Sequence, residues 1–315
     1  MKISFVWDWE NPWLQMLTWK DGLARVIQLL SEEFDVRVYS IGEGVFKHDY
    51  FPIYLQPTPK KLADSILEWK PDKILVWGDF TRPTIPFLGE SGIPMAICMA
   101  GGTYRNYAHL FQLVFVESQS YYDDLKREGF NVRLAFGTNT KLYRPIKQTK
   151  IWDAIFPATF ATWKRHKLFA DALGEKGMTC GWMYKVREAD CWKGCQEKGV
   201  TVLPHVSANV LAYLYNASRT CVVTSNDSGG SQRTVLEAMS CGISPVVMSD
   251  SDKTSEYVLK SGFGKVVSPN VEDIRSAIDD LKKNPQDPQV GINYIKLNYS
   301  EYIYFKQLKE GLLTL

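Results

Sequence analysis

The sequence is short of three things, and each shortage removes a class of protein. No segment of its 315 residues approaches the roughly 18 consecutive apolar residues that a membrane-spanning helix needs. Charge of one sign is also missing: 37 basic against 35 acidic residues leave a net charge of +2, with no sequence-wide attraction to nucleic acid or to an anionic membrane. Cysteine is sparse. The six present (Cys98, Cys180, Cys191, Cys195, Cys221 and Cys241) suit reduced thiols acting as small hydrophobes in a cytoplasmic compartment, not a disulfide framework. Cys180, Cys191, Cys195 and His205 can be drawn together as a zinc site, but their spacing matches no common pattern, and no metal is expected. Asp8, Glu10 and Pro12 interrupt "MKISFVWDWENPW" before the core of a secretory leader could form, which agrees with a cytoplasmic location.

What is present is a rhythm. Short apolar runs such as "KISFVW", "DVRVYSI", "ILVW", "IPMAICM" and "LVFVES" alternate with helical patterns such as "GLARVIQLLSEEF", "KKLADSILEWK" and "QSYYDDLKREG". Repeated strand and helix units of this kind predict a parallel, doubly wound sheet. The rhythm breaks at "FGTNTKLYRPIKQTK", whose glycine, proline and basic polar residues suit a linker, and then restarts from "AIFPATF" to "VEDIRSAIDDLKKN". The predicted fold is therefore α/β, with two Rossmann-like doubly wound parallel-sheet domains over 1–147 and 148–292 facing a central cleft. A helical segment over 293–315 is expected to pack back toward the first domain. Ligands of open parallel sheets sit beyond the carboxyl ends of the strands, so the loops that follow the strands are the candidates.

One of those loops is unusual. In "SNDSGGSQRTVLEAMSCGISPVV", Gly229-Gly230 and Ser231 precede a helix that carries Gln232, Arg233, Thr234 and Glu237 beside the apolar Val235, Ala238 and Met239. Adjacent glycines let a backbone come close to a ligand, and a helix N-terminus offers unpaired N–H groups to an anion. The plain alternative is a flexible turn, a serine cap and a solvated Arg233–Glu237 pair. Arg preceding Glu is the weaker order for such a pair, which counts against that alternative.

The run from "SGGSQRTVLEAMSCGISPVVMSDSDKTSEYVLKSGFGKVVSPNVEDIRSAIDDL" resembles the donor-binding domain of family 4 (group 1) retaining glycosyltransferases of the two-domain GT-B type. "FGTNTKLYRP", "TWKRHKLFADAL" and "GVTVLPHVSANVLAYLYNAS" resemble further segments of that family, while the N-terminal half resembles it in layout and in "LVFVESQSYYDDL". The resemblance implies a nucleoside-diphosphate sugar as donor substrate, no cofactor, and an acceptor hydroxyl on a glycan, lipid-linked or protein-linked molecule. A lipid-linked acceptor would bring a peripheral membrane contact with it; nucleic acid is not expected, and the sequence carries no signal for oligomeric state.

By the same resemblance Glu237 matches the Glu that holds the nucleoside ribose. Lys164 matches the basic-loop Lys that meets the diphosphate, with Arg165 beside it. His205, Asp227, Gly229, Gly230, Ser231, Gln232, Arg233, Thr234 and Asp252 complete the expected donor side, and Lys164 with Arg233 are the expected catalytic charges. Three positions depart from the family. Gly229 stands where an earlier Glu is usual, Thr159 where an Arg is usual, and Asp252-Lys253 where a glycine pair is usual. Asp227 or Asp252 is the expected substitute for the absent Glu, and Arg233 or Lys253 for the absent Arg.

Charge grows on the departing diphosphate as the sugar bond breaks, so preorganised donors aimed there lower the barrier most. The family retains anomeric configuration and no carboxylate nucleophile stands out here, so the resemblance implies same-face transfer with a phosphate oxygen accepting the acceptor's proton. On the acceptor side the candidates are Asp8, Asp79, Gly101, Gly102, Tyr104 and His109, the last inside an expected helix, with Asn106 nearby. Trp7, Trp9, Trp13 and Trp19 read either as a carbohydrate-stacking platform or as a wall of the core. Two alternatives stay open: a non-catalytic nucleotide-sugar-binding module, and a GT-B enzyme that glycosylates modified DNA bases.

Overall fold

A computed structural model describes residues 1–8, 22–47, 51–100, 104–183, 189–227 and 232–315. The chain divides into two compact units, one made of Met1–Phe136 with Glu301–Leu315 and the other of Gly137–Ser300. These limits differ from the expected 147 and 292, because Thr138 bridges Ser300 and its N–H bonds the Tyr299 carbonyl, which closes the second unit on itself.

In the first unit the elements run β1 (Lys2–Trp7), α1 (Gly22–Glu33), β2 (Asp35–Ile41), β3 (Gly44–Lys47), β4 (Pro52–Gln56), α2 (Pro59–Trp69), β5 (Lys73–Gly78), α3 (Ile85–Gly89), β6 (Met95–Met99), β7 (Leu113–Val116), α4 (Gln119–Arg127) and β8 (Val132–Leu134). They build a sheet in the order β3-β4-β2-β1-β5-β6-β7-β8, parallel throughout except for the β3–β4 edge pair. A parallel sheet is covered on both faces, so its central strands are buried along their length. In β1, Ile3, Phe5 and Trp7 join one core with Leu23 and Ile27 of α1, while Val6 joins the other with Leu62 and Ile66 of α2. His109 lies exposed in a short 3₁₀ turn, Ala108–Leu110, and not in the expected helix.

The second unit continues with β9 (Trp152–Pro157), α5 (His166–Leu173), β10 (Gly177–Cys180), α6 (Ala189–Glu197), β11 (Thr201–Leu203), α7 (Ala208–Asn216), β12 (Ser218–Val223), α8 (Gln232–Ser240), β13 (Ser244–Met248), α9 (Asp252–Ser261), β14 (Lys265–Val267), α10 (Val271–Lys283) and α11 (Pro288–Asn298). Its six-stranded sheet has the order β11-β10-β9-β12-β13-β14 and is parallel in every pair. Both units are thus parallel-sheet α/β folds, as the strand and helix rhythm predicts. Among the described residues no helix is long and apolar enough to cross a membrane.

The final helix, α12 (Glu301–Leu313), belongs to the first unit. It packs on α1 and sends Tyr304, Leu308 and Leu312 into the core beneath β1 and β7, and Lys309 pairs with Glu33. A segment last in sequence therefore completes the core of the first unit. Leu308→Ala should cost about 2–5 kcal/mol, the usual range for emptying a leucine site in a core. Urea unfolding of the whole protein checks this; a loss below roughly 0.5 kcal/mol would show the helix to be a loose appendage.

Candidate active site

In the second sheet the chain runs from β9 outward to β10 and β11, then returns to the other side of β9 to place β12. The carboxyl ends of β9 and β12 therefore flank the switch point of the sheet, where a crevice for ligands forms. The loop after β9 carries Lys164 and Arg165; the loop after β12 carries Asp227 and leads into α8. Residues of both loops, brought together here, are those named from the sequence.

The loops are stitched by hydrogen bonds. The Thr224 hydroxyl donates to the Lys164 carbonyl at 2.8 Å, and the Asn226 N–H to the Trp163 carbonyl at 3.2 Å. Arg165 does most of the tying: its Nε donates to the Thr224 carbonyl at 2.6 Å, and its two terminal nitrogens fork onto Asp250 at 2.7 and 2.9 Å. Asp250 follows β13, so one guanidinium joins three adjacent strand-end loops, and it holds the Asp250 carboxyl below its ordinary range. Arg165 was expected to face the diphosphate. The structure places its charge on protein oxygens, and its backbone adopts a left-handed conformation (φ 53°) that suits the turn from the 3₁₀ segment Thr162–Lys164 into α5.

Glu237 is buried on α8, 5% exposed, which removes the solvated-pair alternative. The Tyr215 hydroxyl donates to its Oε2 at 3.0 Å, and Tyr215 is itself wholly buried, edge-on to Tyr143. Burial, reinforced by the Glu237 charge, pushes the Cys180 thiol up to about 12 and raises those of Cys221 and Cys241, so these cysteines are inert core residues. The Thr234 hydroxyl donates to the Pro157 carbonyl at 3.1 Å and fixes α8 against the end of β9. Arg233 is half-buried one turn before Glu237. Gly229, Gly230 and Ser231, and the side chain of Gln232, lie outside the described residues.

At the departures from the family pattern, other contacts have formed. Thr159 accepts a hydrogen bond from the Trp182 indole at 2.9 Å, and Trp182 stacks on His205 with ring centroids 5.2 Å apart. Burial lowers the His205 pKa. Gly181 lets this corner close up, because a Cβ there would stand 2.0 Å from the Ala158 carbonyl oxygen. Lys253 places its ammonium on the Asp227 carbonyl at 2.6 Å, while Asp252 is exposed at the start of α9. Tyr215, Trp182 and Asp250 were not found as site residues in the sequence, since their signal is contact across the fold. Among the described residues no three His, Cys, Asp or Glu side chains group as a metal site.

In the first unit the expected acceptor-side residues are dispersed in role. Asp79 shapes a turn by accepting the Thr81 N–H at 2.8 Å, Tyr104 is exposed, and Asp8 has a fully buried side chain. Trp7 stacks on Trp77 (centroids 3.9 Å apart) as part of the core and its margin. Gly101, Gly102, Trp9, Trp13 and Trp19 lie outside the described residues.

Residues 158–284 match the family described as glycosyl transferases group 1. Sucrose-phosphate synthase from Thermosynechococcus elongatus superposes with a TM-score of 0.75 at 13% identity, covering 100% of this chain and 98% of that one. HepE of Anabaena in complex with UDP and glucose superposes at 0.80 with 16% identity over 100% of both chains. The E. coli protein bound with UDP-2-fluoro glucose gives 0.74 at 11% identity, over 100% and 99%. These likenesses establish a two-domain GT-B fold. No curated protein sequence matches the chain.

His166, next to the Arg165 clamp, is 1% exposed between Phe160 and Phe156, and neither ring nitrogen has a hydrogen-bond partner among the described residues. Burial, with Lys164 nearby, lowers its pKa from 6.5 to about 3. Above pH 6.5 the ring is neutral folded or unfolded. Between 6.5 and 3 only the unfolded chain takes the proton, so this residue removes about 1.4 kcal/mol of stability per pH unit as pH falls. Urea titrations at pH 7 and pH 5 should find His166→Phe less acid-sensitive than wild type by about 2 kcal/mol. Equal sensitivity of the two proteins would contradict the neutral buried ring.

Proposed function

We propose that the protein, whose residues 158–284 match the family described as glycosyl transferases group 1, moves a sugar from a nucleoside-diphosphate sugar to an acceptor hydroxyl with retention of anomeric configuration and without a metal. The observation that carries this reading is the joining of the Lys164 loop to the loop that leads into α8, at the switch point of the second sheet. Lys164, the N–H groups at the start of α8 and Arg233 meet the diphosphate as its charge grows. Glu237 accepts from the ribose hydroxyls, and the Trp182–His205 stack offers an aromatic surface to the base. The UDP and glucose bound by HepE support a uridine donor. Asp227 or Asp252 takes the place of the absent family Glu in gripping the sugar.

The chemistry balances without a protein nucleophile. The bond from the anomeric carbon to the diphosphate oxygen breaks, the acceptor oxygen bonds the same face, and the acceptor's proton passes to the departing phosphate oxygen. Asp250-x-Asp252 resembles the Asp-x-Asp of metal-dependent transferases, but the Asp250 carboxylate is committed to Arg165. A cation there would have to displace a forked guanidinium.

Calorimetric titration with a panel of nucleotide sugars, UDP-glucose first, tests the reading; absence of affinity for any of them would end it. Lys164→Ala should lower kcat by about ten- to a thousandfold, the range for losing a positioned charge stabiliser. Glu237→Ala should instead weaken UDP itself, and unchanged UDP affinity in the folded variant would remove the ribose assignment. Turnover should survive EDTA, and a loss restored by magnesium would refute metal independence.

A further inference from the structure

Tyr215 lies in the last turn of α7 with none of its surface open to solvent. Its hydroxyl donates to Glu237 Oε2 at 3.0 Å and stands 3.3 Å from the Thr234 carbonyl, so both of its acceptors belong to α8. One phenolic proton serves one acceptor best, and the carboxylate is both the nearer and the charged one. The proton therefore goes to Glu237.

The surroundings leave this pair few other arrangements. Asn216, the residue after Tyr215, is buried and ties the end of α7 to the segment before β9: its amide nitrogen donates to the Arg144 carbonyl at 3.0 Å and the Ala212 carbonyl at 2.9 Å, and its Oδ1 accepts the Ile146 N–H at 2.8 Å. The Tyr143 ring packs edge-on against Tyr215 with centroids 6.0 Å apart, and the Tyr143 carbonyl accepts the Ser240 hydroxyl, one turn beyond Glu237 on α8. Tyr215 and α8 thus share one frame. A carboxylate with one oxygen held by a fixed hydroxyl has the plane of its two oxygens set as well, before any ligand arrives. Such presetting is what a binding group needs if it is not to lose affinity in becoming ordered.

We infer that Tyr215 is a positioning residue for the donor: its hydroxyl holds the Glu237 carboxylate in the orientation that accepts from the vicinal ribose hydroxyls, and so sets a preference for ribonucleotides. The inference rests on the reading of Glu237 as the ribose acceptor. Tyr215 itself touches no ligand, because its ring and hydroxyl are closed off from solvent. Its effect on the nucleotide passes through Glu237.

The test titrates the full protein with UDP and with 2′,3′-dideoxy-UDP, which lacks both vicinal hydroxyls. Wild type should prefer UDP by at least about tenfold, the scale of hydrogen bonds to a charged group, and Glu237→Gln should remove most of that preference. Tyr215→Phe, which deletes the hydroxyl and keeps the ring, should cut the preference several-fold at unchanged affinity for the dideoxy nucleotide. Adding Tyr215→Phe to Glu237→Gln should cost nothing more. A full preference in folded Tyr215→Phe would overturn the proposal, and so would equal losses for both nucleotides, which a merely structural role predicts. A measurement on the unmutated side chain stands beside these: with tyrosine carbon-13 labelled at Cζ, the Tyr215 signal, assigned by its shift in Glu237→Gln, should move on binding UDP and stay in place with the dideoxy nucleotide. Equal movement with both ligands, or none with either, would also overturn it. A wild-type preference that Glu237→Gln leaves intact would strike the ribose assignment and this inference with it, whereas a Glu237-dependent preference indifferent to Tyr215→Phe would strike this inference alone.

Discussion

The donor-side crevice depends on the Arg165 guanidinium. The loops that follow β9, β12 and β13 meet at this one side chain. Arg165 reaches the Thr224 carbonyl and the Asp250 carboxylate at once, so the loops share one anchor. The left-handed backbone at Arg165 costs on the order of 1 kcal/mol, and three charge-assisted hydrogen bonds more than offset it. With this anchor in place the main chain of the neighbouring Lys164 is held too, because the Thr224 hydroxyl donates to the Lys164 carbonyl. Fixing that carbonyl sets where the Lys164 side chain starts, while its flexible stem keeps its own rotamers.

Both units bury ionisable groups near a switch point, where a packing argument alone would place apolar ones. Glu237 meets Tyr215 inside the second unit; Asp8 meets Thr84 and Arg82 inside the first. Burial drives the Asp8 carboxyl above its ordinary range, against the pull of Thr84 and of the Arg82 charge. His166 is different in kind. Its ring serves as a flat apolar filler against Phe160 and Phe156, and its cost appears only in acid.

The elements that are legible in the sequence are those with a strong period or a long apolar run: β1, β5 and β12 as buried strands, and α1, α2 and α10 as amphipathic helices. Those not read from it are short or half-exposed. β3 and β4 lie at the sheet edge with Gly44 and Pro52 at their starts, β8 is three residues long, and α6 has only Cys195 fully buried among its residues. Their pattern is weak because one face meets solvent, and pairing with a neighbour decides their state.

By itself, the sequence determined the class of fold, because alternating strand and helix patterns are local signals, and the resemblance named the loops after β9 and β12 as candidates. Only the tertiary structure decided what the charged residues do. Arg165 and Lys164 are adjacent in sequence, yet Arg165 faces Asp250, which lies 85 positions away along the chain. A charge is assigned its role by the partner that desolvates or fixes it, and partners distant in sequence are chosen by the fold.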